Sequence, residues 1–179
     1  MKNAVFTSIL FLICLSSYGN ITSIIIEKRN RKLFLMDKNE VIKSYKVVLG
    51  RSPVGNKVKE GDNKTPEGKY YIDNKNPQSK YHLSLHISYP NKEDRKRAKK
   101  QGVDPGRDIM IHGLPNNISD YMNKMKSVNL DFVADTSNDF LSWLLMKFDW
   151  TRGCVALTNE NIEEIYDLVD MKTPVYIKP

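Results

Sequence analysis

Cysteine is nearly absent from this chain. Two of its 179 residues are cysteine, and the first, Cys14, lies in an apolar N-terminal run whose removal leaves Cys154 alone. An intramolecular disulfide is then excluded, and with it a cysteine-stapled scaffold. Histidine is almost as scarce, with only His82, His86 and His112. Beyond the N-terminus there is no apolar stretch of membrane-spanning length. Internal repeats and low-complexity linkers are missing too, so the remaining chain of about 160 residues reads as one domain with a sizeable core. Acidic excess is also lacking: 28 Lys and Arg against 21 Asp and Glu give a formal net charge of +7. That sign favours anionic partners and is silent on fold.

The N-terminus reads MKNAVFTSILFLICLSSYGN. Lys2 is a short positive region, Ala4 to Leu15 is an apolar core, and Ser17 and Gly19 are small residues placed for cleavage. The order is that of a secretory signal peptide over residues 1–19, followed by a mature domain over 20–179. Retention as an uncleaved anchor is the alternative. Lipid attachment at Cys14 is disfavoured, because Ile13 stands where a small residue is needed. Export argues against a nucleic-acid partner, and no transmembrane segment is expected once the signal is removed.

Three β-rich runs between Ser23 and Gly50 are broken by Lys28-Arg29-Asn30 and by Asp37 to Glu40, which predicts a meander of hairpins. TPEGKYYI sets a turn at Pro66 and Gly68 before a strand starting near Lys69. YHLSLHISYP alternates, with Tyr81, Leu83, Leu85, Ile87 and Tyr89 on one face and His82, Ser84, His86 and Ser88 on the other. On a strand His82 and His86 lie roughly 13 Å apart and cannot share a metal ion. No metal or cofactor is expected. NKEDRKRAKKQG predicts a charged helix capped by Asn91 and stopped at Gly102. RDIMIHG is a short strand ending in His112. A second helix is expected around Asp139 to Phe148, and a third after Cys154, capped by Thr158 or Asn159 with an Ile162, Ile165, Tyr166, Val169 stripe. TPVYIKP closes the chain as a strand. Many strands and about three helices make the domain mainly β with flanking α-helices.

A lone thiol in an exported domain is either a buried small hydrophobe or a chemical tool. Nucleophilic use requires a base to form the thiolate and donors for the oxyanion. Cys154 follows Gly153, where the missing side chain lets a carbonyl approach backbone amides, and Arg152 would favour the thiolate if it points that way. His112, at a strand end before Gly113, is the candidate base. Spacing alone does not join residues so far apart in sequence.

IHG at 111–113 and TRGCVALTN at 151–159 resemble the signature of the L,D-transpeptidase family of YkuD type, as do VVLG at 47–50 and the Thr-Pro-x-Gly turn at 65–68. YHLSLHISYPN, GVDPGRDIMIHGLPN and DWTRGCVALTN are similar to its YafK murein-transpeptidase branch. The resemblance spans roughly residues 22–179 and implies a β-sandwich-like catalytic domain in the periplasm or cell envelope. It implies Cys154 as acyl-accepting nucleophile and His112 as general base. Gly113 would orient the imidazole through its carbonyl, and amides around Gly153 and Cys154 would form the oxyanion hole. Thr151, Arg152, His86 and His82 are candidate substrate-binding residues. The activity implied is cross-linking or remodelling of peptidoglycan stem peptides, with cell shape as its consequence. The alternative is a hydrolase or amidase that cuts stems or releases a protein tethered to peptidoglycan. Two departures stand out: a long segment from Leu114 to Trp150, which could form a cover, and Ala156, expected at the site edge, where many members carry Arg or Asn.

Overall fold

The computed structural model describes residues 20–124 and 137–179. The signal-peptide reading of residues 1–19 lies outside them. The expected meander is present: β1 (Ser23–Glu27), β2 (Lys32–Asp37) and β3 (Glu40–Lys46) pair antiparallel in order. β4 (Gly68–Ser79) is long, and its ladder slips between Ile72 and Asn74 and again between Asn76 and Ser79. Slips of this kind bend a strand and increase its twist. β4 therefore serves two neighbours. Its first residues pair with β8 (Pro174–Lys178), and the rest pair with β5 (His82–Ile87).

The full strand order is β3-β2-β1-β8-β4-β5-β6-β7, with β6 at Met110–His112 and β7 at Val155–Ala156. The halves on either side of β4 share one core. Ile24, Ile26, Leu33 and Leu35 belong to the same buried cluster as Leu85, Ile87, Ile111 and Val155. The sheet also comes close to closing on itself. Val48, just past β3, exchanges both backbone hydrogen bonds with Ala156 of β7, each at 2.9 Å, and Gly50 bridges to Thr151. The two extreme strands of the order thus meet beside Cys154.

Four helices are described, one more than the sequence suggests. α1 (Lys92–Gln101) has the anticipated ends: Asn91 accepts from the amides of Glu93 and Asp94, Asp94 returns a bond to the Asn91 amide, and Gly102 closes the helix at φ +65°. Such a reciprocal cap is worth about 1 kcal/mol. α2 (Ile118–Lys124) was not anticipated, since seven residues are too few to show a helical period. Packing against α3 (Asn138–Leu145) holds it. Ile118 and Met122 join Leu114, Leu141, Leu145, Met146 and Trp150 in a second buried cluster. α3 ends three residues earlier than the sequence suggests. α4 (Asn159–Leu168) is capped by Thr158, which accepts from the Asn161 amide, and it buries Ile162 and Ile165 against the main core. No helix among the described residues is long and apolar enough to cross a membrane.

Candidate active site

Residues 151–154 form a turn locked by one side chain. Thr151, 3% exposed, donates its hydroxyl to the Cys154 carbonyl at 2.7 Å and accepts the Gly153 amide at 3.1 Å. Thr151 therefore shapes the turn, and it also lines the cleft described below. The Gly153 amide is also already engaged, which corrects the expectation that it would serve an oxyanion. Gly153 sits at φ +130°, and a Cβ there would lie 2.6 Å from the Lys64 carbonyl. Only glycine suits both demands. The earlier motifs converge on this turn. The Gly50 amide donates to Thr65 Oγ1 at 3.1 Å, and a Cβ on Gly50 would come within 3.0 Å of the Gly153 Cα.

Cys154 is half-buried, and its Sγ donates to the Asp108 carbonyl at 3.6 Å. Burial pushes the thiol up to about 11, with the Asp108 charge adding to the rise. The Met110 amide and the Lys57 ammonium pull the other way. Arg152, exposed, is not among the charges acting on the sulfur; it lies near the Tyr81 and Tyr121 phenols instead. Lys57 is itself buried, held by Asp62 Oδ1 at 2.8 Å and the Lys59 carbonyl at 3.0 Å.

His112 is 2% exposed, and burial lowers its pKa from 6.5 to about 4. Nδ1 lies 2.6 Å from the Gly113 carbonyl. A carbonyl only accepts, so Nδ1 carries the proton and Nε2 is the basic nitrogen. Gly113 can hold this position because a Cβ there would meet Asn159 Oδ1 at 2.7 Å, and Asn159 also accepts the Leu114 amide. At neutral pH both candidate reactants rest uncharged, a thiol and an imidazole with a free lone pair. An imidazole in this state can accept a proton at Nε2, as a general base must.

Cys154 and His112 line one cleft of about 560 Å³. Its walls are aromatic: Tyr81 stacks 4.5 Å from the His112 ring, Trp150 lies 5.8 Å from it, and Tyr121 lies 5.0 Å from Trp150. Arg51, Arg152 and Lys124 stand at the exposed rim. Arg51 Nε donates to the Trp150 carbonyl at 3.1 Å. Among the described residues neither Arg51 nor Arg152 pairs with a carboxylate. The cleft thus offers a stacking wall and, among the described residues, two arginines with no carboxylate partner. Tyr81, Tyr121, Trp150, Arg51 and Lys57 escaped the reading of the sequence, because no local pattern tells a wall aromatic from a core one. The segment from Leu114 to Trp150 supplies two of these walls, Tyr121 on α2 and Trp150 beyond the end of α3. Whether it covers the cleft depends on residues outside those described.

The two remaining histidines do not share a face. His82 sits at φ +64°, which breaks the alternation at the start of β5, and its Nε2 lies 2.6 Å from Glu163 on α4. His86 keeps the strand geometry and points the other way, with Nδ1 on Asp73 and Nε2 3.6 Å from Asp108. His82 is therefore removed from the cleft, while His86 stands near Cys154 through Asp108. Ala156 also differs from its expected place. It is fully buried in the second cluster and lies opposite Val48, so it is not at the cleft edge.

Residues 21–130 and 132–177 match the family described as YkuD, the L,D-transpeptidase catalytic domain. The chain is 27% identical over 147 residues to the putative L,D-transpeptidase YafK of Escherichia coli K12, covering 80% of this chain and 44% of that protein. It resembles the helical cell shape determining protein Pgp2 from Campylobacter jejuni at 25% identity and a TM-score of 0.56, covering 89% of this chain and 51% of that one. An L,D-transpeptidase from Mycobacterium smegmatis shares the fold at 11% identity and a TM-score of 0.51, over 89% of this chain and 59% of that one. The chain thus spans about half the length of the relatives it matches. Because that family model covers nearly the whole stretch from residue 21 to 177, the chain belongs to the YkuD family of L,D-transpeptidase catalytic domains.

Proposed function

We propose that this chain is an exported cysteine acyltransferase that acts on peptidoglycan stem peptides. The observation that carries the reading is the pairing of Cys154 with a buried neutral His112 in one cleft, the imidazole oriented by the Gly113 carbonyl so that Nε2 is basic. Cys154 attacks a stem-peptide carbonyl as His112 takes its proton. The leaving amine then receives that proton, and a thioester remains on Cys154. The Cys154 amide, next to the glycine that permits close approach, donates to the developing oxyanion. Arg51 and Arg152 draw the carboxylates of the stem peptide toward the aromatic wall. An amine of a second stem resolves the thioester into a cross-link. Resolution by water would make the same site a hydrolase that trims stems or frees tethered protein.

Residues 1–19 act as the export signal and 20–179 as the working domain, which places the enzyme in the periplasm or envelope. The name of Pgp2 links that relative to helical cell shape; we extend the link to this chain as a consequence of stem-peptide remodelling. The test is incubation of the mature chain with tetrapeptide-bearing muropeptides, and separately with sacculi carrying tethered protein. Mass spectrometry should find a thioester adduct on Cys154 and dimers joined through two diamino acids. Thioester resolved only by water, at every acceptor concentration, selects the hydrolase. No adduct with any stem peptide rejects the reading.

A further inference from the structure

α1 turns one side to the body of the protein and an almost purely cationic side to solvent. Asp94 and Ala98 are buried, and Asp94 accepts the Tyr70 hydroxyl at 3.0 Å. Lys92, Arg95, Lys96, Lys99 and Lys100 are all exposed. At about 100° per residue they fall within one arc of roughly 140°, opposite Asp94 and Ala98. The stripe runs for about 12 Å along the helix, at about 1.5 Å per residue. Among the described residues none of these cations pairs with a carboxylate. Asp94 is taken by Arg97, and Glu93 borders the stripe only in the first turn. Arg95 donates to the Pro90 carbonyl, which leaves its charge uncompensated.

We propose that this stripe docks the domain on a bilayer surface that carries anionic headgroups. The proposal goes beyond the acyl-transfer reading and does not depend on it. Charge complementarity carries it, since a row of cations without local counter-charge attracts phosphate headgroups, each cation adding to the pull. Shape selects a surface over a chain. The outer face of a helix is convex, and the clefts of about 320–560 Å³ among the described residues take no lining residue from α1. A linear polyanion finds no groove to lie in there, whereas a plane meets the cations together. The stripe holds only lysine and arginine, so it rests on headgroups and does not enter the acyl region. The reciprocal cap at Asn91 and the stop at Gly102 keep the helix in shape. The Asn91 side chain donates to the Lys69 carbonyl at 3.1 Å, and Arg97 Nη2 reaches the Lys57 carbonyl at 3.4 Å. Docking of α1 therefore orients the whole domain.

The experiment is co-flotation of the mature chain with phosphatidylcholine vesicles, with and without phosphatidylglycerol. Binding should require phosphatidylglycerol and should vanish in about 0.5 M salt, where surface charges are screened. Lys96→Gln, Lys99→Gln and Lys100→Gln together should weaken it about a hundredfold, at about fivefold for each lysine. Circular dichroism should confirm a native fold for this variant. Lys32→Gln, Lys46→Gln and Lys178→Gln remove the same charge from exposed strand positions and should weaken binding less than fivefold. Equal loss in the two triple variants would assign the binding to net charge and overturn the proposal. So would equal binding to both kinds of vesicle, or no binding to either. Inorganic polyphosphate that binds as tightly per phosphate as the vesicles would replace the surface with a linear polyanion, and overturn it as well. A further measurement needs no variant. A spin-labelled headgroup in the anionic vesicles should broaden the amide resonances of Lys96, Lys99 and Lys100 ahead of those of β3. Strongest broadening anywhere outside α1 would move the contact elsewhere and overturn the docking face.

Discussion

Gly50 and Gly153 lie back to back, so close that a Cβ on the first would stand 3.0 Å from the Cα of the second. That contact explains why two short motifs so far apart in sequence occur together: each leaves room for the other. Gly153→Ala would place a methyl 2.6 Å from the Lys64 carbonyl and force an L residue to φ +130°. Loss of several kcal/mol is expected, from strain and overpacking together. Chemical denaturation should show it, and a variant of unchanged stability would contradict the role given to this turn.

Thr151 is expected to matter through the backbone. Thr151→Val keeps the volume and removes both bonds of the hydroxyl, at a cost of about 1–3 kcal/mol. Thr151→Ser should recover most of that. If the hydroxyl met substrate instead, the valine variant would raise KM while leaving the unfolding midpoint in place.

Cys154 and His112 should behave as a unit. Alanine at either position should abolish thioester formation, and the double variant should cost little more, since residues acting together are non-additive. A His112→Ala protein that folds and still forms the adduct at the native rate would identify the wrong base.

The resting thiol should be sluggish. With its pKa pushed up to about 11, little thiolate exists at neutral pH. Alkylation by iodoacetamide is therefore expected to climb with pH well past the usual 8.5 of a free cysteine. Lys57→Met should slow it further, because that ammonium favours the thiolate. A fast reaction at pH 7 in the absence of substrate would show a preformed thiolate.

His112 ties stability to pH. Its folded pKa, about 4, is below its unfolded value near 6.5, so between these the unfolded chain binds more protons. The stability held above pH 6.5 is lost as pH falls toward 4, by about 3 kcal/mol from this group. Denaturation curves across that window should steepen for the native chain relative to His112→Gln. Parallel curves would mean that His112 is not buried neutral.

Much of this was legible in sequence wherever one residue type has one physical use. The meander, the Asn91 cap, the Gly102 stop and the α4 stripe each follow from local chemistry. Cys154 and His112 stood out because cysteine and histidine are rare. What stayed hidden depended on contacts between distant segments. Nothing local distinguishes Trp150 in a cleft wall from a core tryptophan, and nothing local shows that Lys57 is buried near a sulfur. Alternation misled at His82, because one left-handed residue is enough to turn a side chain to the other side. The burial of Ala156 against Val48 is equally hidden, because the chain path from β3 back to β7 cannot be read from either strand alone.

The meeting of Val48 with Ala156 has a bearing on when the protein becomes reactive. These residues are separated by more than half the chain, and β8, at the C-terminal end, must enter between β1 and β4 before the sheet is complete. Contacts of such long sequence separation form late and slowly. The cleft around Cys154 is thus among the last things to be built. A chain that crosses a membrane unfolded would carry an ordinary, unpositioned thiol, and would gain its chemistry only at its destination.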